Sequence, residues 1–343
     1  MNKKRTKTRL AVRRDHSETY ILVSLVSFAV TVIGTRVFLQ LTGFPQIGNS
    51  VLHIAHALWG GLFLFVAAFL PLAYANRWAI QTSAILSGVG IGLFIDEIGK
   101  FITQANDYFF PPALPLIYGF FLLTVFIYLR FRRPKDKEAR SVMYHVFDRL
   151  QDALDGDLDT DEAKRLEAQL AIAKQSDKEE IATLAKALSA YLEQEKNYLA
   201  EAEPDFLKQI EKRIDAAGRW LGRPRHRMLI SGVLLGWMIF VLSYIVIMFQ
   251  GMPNLDPDVV RVRIPLMGIQ VVVGVLMSVA IWYWYKKDEE QGLKFGVSGF
   301  LLSLIALQTI YFYITQFSAI TSTLLQLAFL LILQAYRRWY FWE

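Results

Sequence analysis

Apolar positions along this chain come in eight runs of about twenty residues, the length an α-helix needs to cross the hydrocarbon core of a bilayer. The predicted spans are 20–41, 51–74, 78–102 and 112–131 in the first half, and 228–249, 264–285, 295–315 and 320–336 in the second. From Pro134 to Pro224 the pattern changes to charged residues interleaved with Leu, Ile and Ala at helical spacing, as in Ile181, Leu184, Leu188, Tyr191 and Leu192. That spacing predicts soluble helices over 138–154, 161–174, 178–200 and 204–221, with breaks near Gly156, Ser176 and Glu203. A small antiparallel bundle or a dimerising coil would bury their apolar stripes. The expected fold is all-α, a polytopic membrane bundle of eight transmembrane helices with a cytoplasmic helical insert. Its parts are a basic N-terminus (1–19), a first membrane half (20–131), the insert (132–227) and a second membrane half (228–343).

Charge sets the orientation. Seven Lys or Arg residues precede Asp15, and RFRRPKDK, RWLGRPRHR, KKDEEQGLK and the terminal RRWYFWE all fall on one side of the eight predicted spans. The positive-inside rule makes that side cytoplasmic, so both termini and the insert are expected in the cytoplasm of a bacterium, beneath its inner membrane. The first apolar run is longer than a signal-peptide core and lacks a small-residue cleavage site, and it reads as a retained span. A net charge of +6 would suit nucleic acid, but the cations cluster at the ends of apolar runs, which excludes that partner in favour of the lipid bilayer. The chain has no cysteine, so disulfides, thiolate metal sites and cysteine nucleophiles are excluded, leaving His and carboxylate as strong ligand types. A homo-oligomer or a cytoplasmic partner would meet the chain through the insert.

Candidate chemistry concentrates in GVGIGLFIDEIGKFI, residues 88–102, where Asp96, Glu97 and Lys100 interrupt an apolar run. Each charge near a bilayer centre costs about 2.5–3.5 kcal/mol on insertion scales, so partners are expected. Ala84, Gly88, Gly92, Asp96 and Lys100 fall four apart on one helix face, a stripe of small residues that admits a neighbouring backbone and ends in the charges. Arg36 lies near the outer end of span one, and His53 and His56 near the outer start of span two. At about 1.5 Å per residue these groups and the acids all lie about 5–10 Å from the outer boundary. The second half has no ionisable side chain in its spans other than tyrosine.

Three readings compete for this slab. In the first, His53 and His56 with Asp96 or Glu97 hold a divalent metal, zinc as first guess, and the remaining acid acts as base. Arg36, Lys100 and the external Asn106, Asp107 and Tyr108 would then bind an anionic envelope or lipid substrate, giving a metal-dependent hydrolase or transferase. In the second, the same residues form a proton- or ion-coupled transporter or channel. In the third they make a structural or signalling core, with Arg36 and Lys100 balancing Asp96 and Glu97. The acidic run 155–162 alternates oxygens as a calcium loop does but lacks the glycine and final glutamate of that motif, and it reads as a solvated turn.

The segments LHIAHALWGG and GVGIGLFIDEIGKF, joined by a short basic turn, resemble the core of the VanZ-like proteins and related bacterial membrane families, in which a His-bearing span precedes one ending in an acidic pair. The resemblance covers residues 51–131 and implies a cell-envelope location, with a functional role for His53, Glu97 and Asp96. Lys100 stands where a glutamine often follows the acids in those families.

Overall fold

The computed structural model describes residues 11–43, 55–131, 138–154, 156, 158, 160–195, 216, 219–220, 227–250 and 257–341. Its elements are helices throughout, and no strand occurs among the described residues. They are α1 (Ser17–Thr42), α2 (His56–Ala73), α3 (Arg77–Asp96), α4 (Ile98–Ile102), α5 (Ala113–Phe131), α6 (Ala139–Leu154), α7 (Thr160–Lys174) and α8 (Glu179–Glu195), then α9 (Arg227–Gln250), α10 (Pro257–Tyr285), α11 (Glu289–Leu302), a π-helical turn (Ser303–Leu307), α12 (Gln308–Thr315) and α13 (Ala319–Phe341). Among the described residues, eight segments are long and apolar enough to cross a membrane: α1, α2, α3, α5, α9, α10, the α11–α12 run and α13. Large apolar side chains stand exposed along them, among them Phe38, Phe65, Phe69, Leu72 and Phe126. A lipid solvent accounts for this, because water would not tolerate apolar surface of that extent.

The chain divides into two compact units, residues 1–98 with 123–204, and residues 99–122 with 205–343. The segment from Gly99 to Leu122 thus joins the later chain. Tyr118 gives the reason. Its hydroxyl donates to the Leu304 carbonyl at 2.8 Å and its ring lies 4.7 Å from that of Phe312.

In the first unit, α3 is gripped on two sides by helices that approach at glycines. A Cβ on Gly88 would overlap the Ser24 carbonyl oxygen, and one on Gly92 would lie 2.8 Å from Thr31 Cβ, so α1 crosses α3 along the small-residue stripe. On the other side a Cβ on Gly60 would lie 2.7 Å from the Gly90 carbonyl, and Ser83 Oγ donates to the Ala67 carbonyl at 2.7 Å, which seats α2. Contacts with α1 advance in the same chain direction as α3, and those with α2 run opposite. The close approaches replace side-chain bulk with backbone contact, the usual basis of helix association in lipid.

Among the described residues, the insert packs three helices, α6, α7 and α8, around Val146, Leu166, Leu170, Ala173 and Ala185, all fully buried, and most of the predicted helix over 204–221 lies outside the described residues. Of the stripe predicted on α8, Ile181, Leu188, Tyr191 and Leu192 face this core, whereas Leu184 is exposed and Ala185 takes the inward position. In the second unit, α11 packs on α10 and α13, with Phe300, Leu293, Met277 and Leu333 buried in the centre.

Candidate functional site

Helix α3 ends at Asp96, Glu97 takes a turn conformation (φ −90°, ψ 11°), and α4 restarts at Ile98. A helix end inside an apolar run leaves carbonyls without partners, and lipid supplies none. Arg36 resolves this from α1. One turn beyond the Thr31–Gly92 contact, its Nη2 donates to the Asp96 carbonyl at 2.8 Å while Nε donates to Asp96 Oδ1. One planar guanidinium thus satisfies the carbonyl and the side chain of a single residue, and places a cation at the negative end of the α3 dipole. Arg36 and Asp96 are both buried.

His56 closes the cluster from the first turn of α2, one turn before the Gly60 approach to α3. Its Nε2 lies 3.1 Å from Asp96 Oδ2 and its Nδ1 3.1 Å from Glu97 Oε1. The imidazole therefore bridges two adjacent carboxylates, one of them also held by Arg36. Glu97 is buried and His56 partly so. Four predicted residues, Arg36, His56, Asp96 and Glu97, are brought together in this way by three helices of one unit.

The other predicted site residues have different surroundings. His53 lies outside the described residues. Lys100, in α4, carries its ammonium 5.3 Å from the centre of the Tyr108 ring, a cation–π arrangement within the second unit. Asn106 adopts a left-handed conformation (φ 52°) that turns the loop after α4. Asp107 accepts the Phe109 amide on Oδ1 at 2.8 Å and donates its own amide to Thr103 Oγ1 at 2.8 Å, so its carboxylate helps shape the loop itself.

Among the described residues no group of three or more His, Asp and Glu side chains is arranged to hold a metal ion. The geometry of His56 explains this, because a metal needs a ring lone pair aimed at it and both nitrogens are turned to separate carboxylates.

Reading the sequence for ionisable groups missed a neutral polar seam in the second unit. Gln270 donates to Tyr311 Oη at 2.5 Å, and Gln308 donates to Ser322 Oγ at 3.0 Å. Ser303 and Gln326 are buried as well, and the π-helical turn begins at Ser303. A π turn leaves a carbonyl outside the regular ladder, and the Tyr118 hydroxyl bonds Leu304 within it. The signal was three glutamines within apolar spans, where an amide needs a partner as a charge does.

No protein-family description, curated protein or solved structure matches the chain.

Proposed function

We propose that this is a multi-pass protein of the bacterial inner membrane that exchanges a proton for another cation at Arg36, His56, Asp96 and Glu97. The observation that supports the reading is the His56 ring with a carboxylate 3.1 Å from each nitrogen. Two acceptors call for two donors, and only the imidazolium offers both. A neutral ring meets the same pair only when one carboxyl brings the proton itself. One proton is therefore shared between His56 and Glu97, while Arg36 pairs with the Asp96 carboxylate. With that proton the four side chains sum to zero charge. Without it they carry one net negative charge in an apolar site, a state costing several kcal/mol. Losing the proton calls for a cation to replace it, and that is the logic of an exchanger. The break in α3 belongs to the same design, since discontinuous membrane helices put backbone dipoles beside transported ions.

In this reading the basic segments face the cytoplasm, together with both termini and the insert, and the cluster lies toward the outer surface. The test uses purified full-length protein in liposomes with a trapped pH dye. An imposed sodium or potassium gradient is expected to drive proton flux, His56→Gln and Glu97→Gln are expected to abolish it, and Glu97→Gln, which leaves the cluster neutral with an uncharged imidazole, is expected to unfold near the wild-type temperature. Absence of flux from folded wild-type protein overturns the proposal. One equivalent of zinc retained on purification, and lost in both His53→Ala and His56→Ala, would replace it with metal-dependent chemistry on an anionic envelope substrate.

A further inference from the structure

Helix α6 has a broad apolar surface, and the bundle covers only part of it. Val142, Met143, Val146, Leu150 and Ala153 point into the insert core. Tyr144, Phe147 and Leu154 are 55%, 47% and 76% exposed, although each is a large apolar or aromatic side chain. At about 100° per residue, Arg140, Tyr144, Phe147 and Leu154 fall within a sector of about 80°, centred about 105° around the helix from the middle of the core face. Arg140 stacks over the Tyr144 ring at 5.4 Å, which leaves a stripe of rings topped by a cation.

A third face of the same helix fixes its depth. His145 Nε2 bonds the Arg13 carbonyl at 3.0 Å, and Arg149 grips Asp15 through Nε and Nη2, both at 2.8 Å. Arg13 and Asp15 stand immediately before Ser17, where α1 begins its run through the membrane. On a second side, Arg77 at the start of α3 donates to Glu162 of α7 at 3.2 Å. The bundle is thus fastened to the ends of two spans, at the level where hydrocarbon gives way to headgroups. Residues 130–140, which lead into α6 from span α5, hold six Lys or Arg against two acids, Asp136 and Glu138.

From these observations we infer that α6 is an interfacial helix whose Tyr144–Phe147–Leu154 stripe rests on the anionic lipid surface of the leaflet from which α1 and α3 start. An exposed apolar stripe at the membrane boundary, beside a cationic segment, matches both components of such a surface: acyl chains for the rings and lipid phosphates for the cations. A soluble protein partner would account for the stripe but not for its depth or for the charge beside it.

The absence of native cysteine allows a direct test in the full-length protein. A spin label at Phe147→Cys is compared with one at Leu184→Cys, an exposed position on α8, in nanodiscs of phosphatidylcholine with and without phosphatidylglycerol. The label at 147 is expected to favour oxygen over a water-soluble nickel reagent, whereas the label at 184 favours nickel. Phosphatidylglycerol should deepen the difference, and high salt should reverse that part of it. A further variant, Tyr144→Ser with a label at Leu154→Cys, is expected to regain nickel access while the bundle stays folded. Equal nickel access at 147 and 184 in both lipids overturns the inference. So does protection of 147 from both reagents, which would mean a protein contact such as a second copy.

Discussion

Gly60 and Gly61 are neighbours on α2, yet alanine at each should act in opposite directions. A Cβ at Gly61 meets nothing within 4 Å, so Gly61→Ala keeps the helix-propensity gain of about 1 kcal/mol. A Cβ at Gly60 would lie 2.7 Å from the Gly90 carbonyl and 2.8 Å from the Phe94 amide nitrogen, both backbone atoms of α3 that cannot rotate away. Ordinary contact begins at 3.4 Å, so α2 must retreat by 3.4 − 2.7 = 0.7 Å. Overpacking of this kind costs about 1–3 kcal/mol, which exceeds or cancels the propensity gain. Because His56 lies one turn away on the same helix, a retreat of that size would lengthen its 3.1 Å approaches to Asp96 and Glu97 to roughly 3.8 Å, too long for a hydrogen bond. Thermal unfolding followed by intrinsic fluorescence should place Gly61→Ala above the wild type and Gly60→Ala below it. In proteoliposomes only Gly60→Ala should lose proton flux. Equal stability of the two variants would refute the claim that α2 and α3 meet backbone to backbone at this point.

Removing Arg36 alone should be worse than removing the charges together. Arg36→Met strands the buried Asp96 carboxylate and should cost about 3–5 kcal/mol, whereas Arg36→Met with Asp96→Leu should recover much of that loss in the same unfolding assay. Gln326, whose amide is buried without a hydrogen-bonding partner among the described residues, should tolerate Gln326→Leu with an unchanged or higher unfolding temperature.

Much of the fold was legible because lipid imposes simple demands on sequence. The apolar runs gave eight spans close to their structural bounds, and the stripe of Ala84, Gly88 and Gly92 foretold an intimate helix contact, which α1 supplies. The shared depth of Arg36, His56, Asp96 and Glu97 foretold their meeting. Less legible was what depends on distant chain. Nothing local to Ile95–Ile98 marks a helix break, since the carbonyl freed there is satisfied by a guanidinium sixty residues earlier. Likewise, the π turn at Ser303–Leu307 looks like ordinary helix in sequence, and its carbonyl partner, Tyr118, lies 186 residues away. The placement of Lys100 over the Tyr108 ring depends on how the chain turns after Gly99, which charge counting does not encode.

The ion pairs of the insert and the charged cluster hold opposite ends of the same rods. On α1, Asp15 is clasped by Arg149 just before the helix, and Arg36 reaches Asp96 about 30 Å farther along. On α3, Arg77 at the first residue is bound to Glu162, and Asp96 is the last. A stiff helix pivots about its tightest crossing, here near Gly88, where the backbones touch. Displacement of the bundle by a ligand or by membrane tension would therefore act through a lever whose far arm carries Arg36 and Asp96. A shift of an ångström at that arm would lengthen the 2.8 Å bond from Arg36 to the Asp96 carbonyl to about 3.8 Å, beyond hydrogen-bond reach.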